Sequence, residues 1–182
     1  MSTKRATLLV DTALCYGCYT CEIACKQEHN LPAGPRLIRV TKIGPRRVLG
    51  KLTMDFYPVH CMHCAKPACL EACPVDAISK RPDGVVLFHT EKCIGCLACV
   101  EACPFGVPQY NSVNNVVQNC DLCIRRIDNG LKPACVHHCP TGALFFGDVD
   151  SFVKQRGQRR AELVVADRFV ESKVLLDQTS EA

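Results

Sequence analysis

Residues 93–104 read Cys93-Ile94-Gly95-Cys96-Leu97-Ala98-Cys99-Val100-Glu101-Ala102-Cys103-Pro104. Four cysteines spaced C-x2-C-x2-C-x3-C form the ligand run of a bacterial [4Fe–4S] site. The same spacing occurs at Cys15-Cys18-Cys21-Cys25. Two looser quartets complete the set, Cys61-Cys64-Cys69-Cys73 and Cys120-Cys123-Cys135-Cys139. The chain has 16 cysteines, so none is left over. Three of the quartets end in Cys-Pro, at Pro74, Pro104 and Pro140.

The spacing separates iron–sulfur ligation from its rivals. A tight C-x2-C-x2-C loop reaches three iron corners of one cubane. The fourth cysteine, three residues on, starts a helical turn and ligates a second cluster. Structural zinc uses two C-x2-C pairs set further apart. A disulfide framework belongs to a small secreted chain with a signal peptide. Here Lys4 and Arg5 precede Ala6-Thr7-Leu8-Leu9-Val10, Asp11 interrupts that run, and Cys15 follows at once. This is not the pattern of a cleaved leader. Arg46-Arg47, Arg125-Arg126 and Arg159-Arg160 are internal and read as solvated or partner-facing surface. No stretch reaches the roughly 18 apolar residues of a membrane span.

The formal charge of +4 counts every cysteine as neutral. Four oxidised clusters with their thiolates contribute about −8, leaving the loaded protein near −4. The basic residues are therefore counter-charge for clusters, and no nucleic-acid partner is expected. At 182 residues the radius of gyration should be about 16 Å, so four clusters must be close neighbours. The apolar core per cluster is small, and the metal sites must supply much of the stability.

The quartets are an internal repeat flanked by short apolar runs. Thr7–Val10, Phe56–Val59, Val85–Phe88 and Val113–Val117 precede them. Leu37–Ile43, Val75–Ile78, Val107–Tyr110 and Ala143–Phe146 follow. All read as short strands, with a turn at Arg81-Pro82-Asp83-Gly84. Only nineteen residues, Pro74 to Lys92, separate motifs two and three, which therefore should form one module with crossed ligation. Motifs one and four then pair around it, bringing the N-terminal strand beside Ala143–Phe146. The expected fold class is α+β: two bacterial-ferredoxin-like modules of short strands and short helices, motifs two and three inserted between one and four, with a C-terminal extension. The boundaries are 1–53 and 111–149 for one module, 54–110 for the other and 150–182 for a docking arm. Residues 26–55, rich in Pro and Gly, read as a linker excursion. Asp150 or Ser151 could cap a helix from Phe152 to Arg160. The arm carries Phe152, Leu163, Val164, Val165, Phe169, Val170, Leu175 and Leu176.

These motifs carry a resemblance. The stretches Cys15-Tyr16-Gly17-Cys18-Tyr19-Thr20-Cys21, His60-Cys61-Met62-His63-Cys64, Cys93 to Tyr110, and Asn119-Cys120-Asp121-Leu122-Cys123 with Pro133 to Pro140 are similar to the four-cluster iron–sulfur subunit of molybdopterin oxidoreductases. That family serves dimethyl sulfoxide, polysulfide and thiosulfate reductases and formate dehydrogenases. The resemblance spans about residues 6–148. It implies four [4Fe–4S] clusters with crossed ligands. Cluster 1 would use Cys15, Cys18, Cys21 and Cys139; cluster 2, Cys25, Cys120, Cys123 and Cys135. Cluster 3 would use Cys61, Cys64, Cys69 and Cys103; cluster 4, Cys73, Cys93, Cys96 and Cys99. It implies an electron-transfer subunit, not itself an enzyme, beside a large molybdenum or tungsten bis-pterin catalytic subunit, in some cases with a membrane quinone-reactive subunit. The location would be cytoplasmic, or periplasmic by export with a signal-bearing partner. A polyferredoxin-like subunit of a hydrogenase, carbon monoxide dehydrogenase or aldehyde-oxidising complex remains an alternative, as does an independent soluble ferredoxin.

His60, His63, His137 and His138 flank ligand cysteines and read as packing residues of the loops. Lys26 stands where three motifs have Pro and reads as solvent-facing; Met54 and Met62 read as core filler. The chain shows no Ser-His-Asp pattern, phosphate loop or acid–base carboxylate pair, so no catalytic residue is expected.

Overall fold

The computed structural model describes residues 7–156 and 163–165. The architecture is mixed α/β, built from short strands and short helices. Strand β1 (Leu8–Asp11) leads into a 3-10 turn at Thr12–Leu14, held by Asp11 accepting the Ala13 N–H at 3.1 Å. Helix α1 (Thr20–Glu28) carries the second half of motif one. Strands β2 (Ile38–Val48) and β3 (Lys51–His60) follow, then α2 (Ala68–Glu71), β4 (Ile78–Lys80) and β5 (Val86–Phe88). Next come α3 (Ala98–Glu101), β6 (Gln109–Asn111), β7 (Val116–Gln118), α4 (Ile124–Ile127) and α5 (Ala134–His137). Strand β8 (Leu144–Phe146), helix α6 (Val149–Arg156) and strand β9 (Leu163–Val165) close the described chain.

The sheets are small. A three-stranded sheet has the order β8-β1-β9, all antiparallel, with Leu8 opposite Phe146 and Leu9 opposite Val165. The N-terminal strand thus lies beside residues 144–146, its expected neighbour. Three two-stranded hairpins, β2-β3, β4-β5 and β6-β7, make up the rest. At the β4-β5 turn the Gly84 N–H donates to Arg81 O at 2.9 Å, the turn that Arg81–Gly84 announces. Helix α1 packs on α5, and α2 on α3. The main core joins Leu8, Val10, Leu37, Ile38, Val40, Val85, Leu122 and Leu144 to the buried cysteines Cys21, Cys25, Cys61, Cys120 and Cys135.

Two segments differ from the sequence reading. Residues 38–60 form a long hairpin, not a linker, with Ile38 opposite His60 and Val48 opposite Lys51. The Pro and Gly that suggest a linker sit where strands tolerate them. Gly44 and Pro45 occupy a register shift between Ile43 and Arg46, and Gly50 takes φ +78° in the turn. The hairpin root is buried at Ile38 and Val40, and its far half is exposed. Glu22 of α1 anchors the root: its buried carboxylate accepts the Val40 N–H at 2.6 Å and the Arg36 guanidinium at 3.2 Å.

Helix α6 begins earlier than expected. Asp148 is its cap, accepting the Ser151 N–H at 2.8 Å and the Ser151 hydroxyl at 2.7 Å. Phe152 is only 1% exposed, packed with Leu9, Phe145 and Val149, so this member of the expected docking arm is core. Phe169, Val170, Leu175 and Leu176 lie outside the described residues. Met62 is core, but Met54 is 44% exposed on β3, because it sits on the hairpin's solvated half.

Candidate metal centres

All 16 cysteines are free thiols. Cys15, Cys18, Cys21 and Cys139 line one small apolar cavity, with Val40, Pro58 and Leu144 as walls. Cys73, Cys93, Cys96 and Cys99 line another, walled by Ile78, Phe88 and Val117. In each, three cysteines of one loop meet the fourth cysteine of a different motif.

Of the other eight thiols, Cys25, Cys61, Cys120, Cys123 and Cys135 are buried and Cys64, Cys69 and Cys103 are half-buried. Burial pushes the Cys25 thiol up to about 12, with the Cys123 charge adding to it. Burial, then Cys25 and Cys135, raises Cys120 well above the ordinary thiol value. Burial and then Cys123 and Cys25 do the same to Cys135. Burial followed by Cys103 and Cys64 raises Cys69 to about 11. Cys61, raised to about 12 chiefly by burial, also feels Cys69 and Cys64. Four weaker effects cross between groups: Cys21 on Cys25 and on Cys135, Cys61 on Cys120, and Cys99 on Cys69. Exposed cysteines occur only at Cys18 and Cys96, one in each of the two cavities.

The loops are shaped for sulfur. Each motif places a left-handed residue before its second cysteine: Gly17 (φ 73°), His63 (φ 44°), Gly95 (φ 70°) and Leu122 (φ 56°). That kink turns backbone N–H groups inward. His63 N–H donates to Cys61 Sγ at 3.4 Å, Ala77 N–H to Cys73 Sγ at 3.2 Å, and Val117 and Gly95 N–H to Cys93 Sγ at 3.3 and 3.5 Å. A Cβ added at Gly95 would lie 2.7 Å from the Asn115 carbonyl oxygen. Gly95→Ala should therefore destabilise the protein by about 1–3 kcal/mol and lower its thermal midpoint. An unchanged midpoint would mean the loop relaxes freely.

Several supports were not visible as a sequence pattern. Lys26 does not face solvent freely: its ammonium donates to the carbonyls of Pro32 and Pro35 at 2.7 and 2.8 Å, tying down the loop after α1. Lys80 holds motif two by donating to Cys64 O and Ala65 O at 2.6 and 2.7 Å. Arg126 spans motifs one and four, donating to Lys132 O and Glu28. His29 Nε2 lies 3.5 Å from Cys123 Sγ and 3.4 Å from Asp121 Oδ1, joining residues 94 positions apart. Of the four histidines beside ligand cysteines, His137 and His138 are exposed and meet edge to face at 4.9 Å. His60 and His63 are buried, and burial lowers their pKa to about 4 and about 3.

The residues fit an iron–sulfur group. Four soft donors converge on each apolar cavity, as thiolate–iron chemistry requires. Buried thiols near 12 would stay protonated on their own, and only a strongly cationic metal centre draws them into thiolates. Among the described residues the buried Nε2 atoms of His60 and His63 have no hydrogen-bond partner, and the buried Asn119 amide has only the Cys61 thiol beside it. All three residues adjoin ligand cysteines.

Comparison with known proteins agrees. Residues 52–149 match the 4Fe-4S dicluster domain family. The B subunit of the anaerobic dimethyl sulfoxide reductase of Escherichia coli is 37% identical over 166 residues, covering 87% of this protein and 81% of that one. The iron–sulfur subunit of the nitrate-inducible formate dehydrogenase of Escherichia coli is 36% identical over 171 residues, covering 85% of this protein and 58% of that one. The chain belongs to the family of 4Fe-4S iron–sulfur subunits that includes these two proteins.

Proposed function

We propose that this protein is the electron-transfer subunit of a molybdenum or tungsten bis-pterin oxidoreductase and passes single electrons through four [4Fe–4S] clusters. The ligand sets are Cys15, Cys18, Cys21, Cys139; Cys25, Cys120, Cys123, Cys135; Cys61, Cys64, Cys69, Cys103; and Cys73, Cys93, Cys96, Cys99. The observation that carries this reading is the convergence of three cysteines from one loop with the fourth of another motif on each of two apolar cavities. Bound clusters supply one-electron acceptors and donors. The chain's own residues hold them, exclude water and point N–H groups at sulfur.

The cross-effects between thiols support a linear order, cluster 1 to 2 through Cys21 and Cys25, 2 to 3 through Cys120 and Cys61, and 3 to 4 through Cys69 and Cys99. Cys18 and Cys96, the exposed cysteines, then mark the two ends where electrons enter and leave. Packing of α1 on α5 and of α2 on α3 supports two ferredoxin-like modules, 1–53 with 111–149 and 54–110. Residues 150–182 make an arm anchored at Phe152 and by the pairing of β9 with β1, with residues 166–182 left for docking. The large catalytic subunit meets one end and a second redox partner, in some complexes a membrane quinone-reactive subunit, meets the other. No described helix is long and apolar enough to cross a membrane. Cytoplasmic residence, or export bound to a signal-bearing partner, both suit this role.

Anaerobic analysis of the purified complex should give about sixteen iron and sixteen acid-labile sulfides per chain, together with molybdenum or tungsten. Iron near eight without cluster loss refutes four clusters. Nickel in place of molybdenum or tungsten refutes the bis-pterin partner.

A further inference from the structure

Motif two differs from the others at one place. The left-handed position before the second cysteine is Gly in motifs one and three and Leu in motif four, but His63 in motif two. Backbone geometry alone favours glycine there. A histidine at φ 44° has a side chain held in place by something.

One nitrogen is accounted for. His63 Nδ1 receives the Val86 backbone N–H at 3.0 Å. A backbone amide only donates, so Nδ1 carries the lone pair and the ring proton sits on Nε2. That N–H is buried in a residue 5% exposed, and no atom of the described residues accepts it. An unmet buried donor costs about 1–3 kcal/mol, so an acceptor is expected in the loaded protein. His63 sits in the loop between the ligand cysteines Cys61 and Cys64, its backbone nitrogen 3.4 Å from Cys61 Sγ, so the sulfur of the cluster proposed there would supply that acceptor. His60 is the opposite case: its Nδ1 lies 2.8 Å from Cys61 O and must donate there, leaving Nε2 a bare acceptor. Only His63 of the two offers a proton to sulfur.

We infer that His63 donates its Nε2–H to a sulfur of the cluster held by Cys61, Cys64, Cys69 and Cys103 and thereby raises the reduction potential of that cluster above its neighbours. This rests on the ligand set proposed above. A donor to sulfur stabilises the extra negative charge of the reduced cluster more than the oxidised one. Two tethers keep the ring aimed: the Val86 N–H bond on one side and the left-handed backbone, whose own N–H binds Cys61 Sγ, on the other.

The test uses the full-length holoprotein in its complex, at fixed pH. EPR-monitored redox titration of His63→Phe should show one cluster alone reduced with an equilibrium constant about tenfold lower, or about 59 mV for one electron. His63→Gln, which retains an N–H at similar reach, should recover most of that shift. Full iron content with all midpoints unchanged in His63→Phe overturns the donor role. If His63→Phe loses iron, the wild type decides. Labelling with [15N]histidine should alter the nitrogen modulation of a reduced cluster, and the label should have no such effect in His63→Gln. Absence of any histidine-dependent coupling in the wild type overturns the proposal. The shifted cluster must also be the one lost in Cys103→Ser. A shift in a cluster that survives Cys103→Ser refutes the ligand set and leaves the donor standing.

Discussion

Cys139→Ser should cost the protein one cluster, and that cluster should be the one held by Cys15, Cys18 and Cys21. Iron should fall from about sixteen to about twelve per chain, or by about one where a three-iron centre survives. Serine is a harder and less acidic donor than cysteine, and iron–sulfur centres prefer thiolate. Cys139 belongs by sequence to motif four, yet it lines the motif one cavity and its charge raises Cys15 and Cys21 after burial does. Double substitution identifies the partner. Cys15→Ser with Cys139→Ser should remove no more iron than either alone, because both empty one site. Cys135→Ser with Cys139→Ser should remove two clusters. If instead Cys135 and Cys139 behave as one site, crossed ligation between motifs one and four is wrong.

The ligand chemistry was legible because cysteine spacing encodes it directly. A three-residue step to the fourth cysteine points that thiol away from its own loop whatever the flanking sequence. The strands beside the loops were legible for a similar reason: Leu8–Val10 and Leu144–Phe146 are apolar runs too short for anything else. The β2–β3 hairpin was not. Its solvated half carries Lys42, Arg46, Arg47 and Lys51, and its bulge and turn use Gly44, Pro45 and Gly50. Those are the residues that mark a linker when pairing partners are unknown. Glu22 carried no signal in the sequence for another reason. It looks like any surface helix acid, but its burial follows from the Val40 amide it receives, a contact set only by the tertiary fold. His29 near Cys123 is the same kind of contact. His60 and His63 resemble packing residues in the sequence, and burial agrees. The direction in which each ring donates depends on one backbone partner that the sequence does not reveal.

Removing iron should unfold most of the chain. Anaerobic chelation after oxidative loss of the clusters should abolish the amide protection of α1–α5 in hydrogen exchange and much of the far-ultraviolet circular dichroism. Helices α2 to α5 have four residues each, far below the roughly 12–15 at which an isolated helix begins to hold. Strands β4 to β8 have three residues each, and a lone hairpin is marginal even when longer. What surrounds them does not compensate. The main core counts Cys21, Cys25, Cys61, Cys120 and Cys135 among its buried members, and a second core is built on Cys99. Without clusters Cys21 and Cys99 border apolar pockets with nothing to pack against. A structural metal site in a small peptide carries about 10–16 kcal/mol, and a whole domain is stable by only about 5–15 kcal/mol. Losing one site on that scale is comparable to the whole margin, and losing four exceeds it. Among the described residues, the region with its own support is the β8-β1-β9 sheet under Phe152, where Leu9 and Phe145 pack without a thiol. Residual protection should therefore be confined to β1, β8 and α6. Protection of α2 and α3 persisting in the iron-free chain would show that the cluster loops fold on apolar contacts alone, and the metal would then be a passenger in a preformed scaffold.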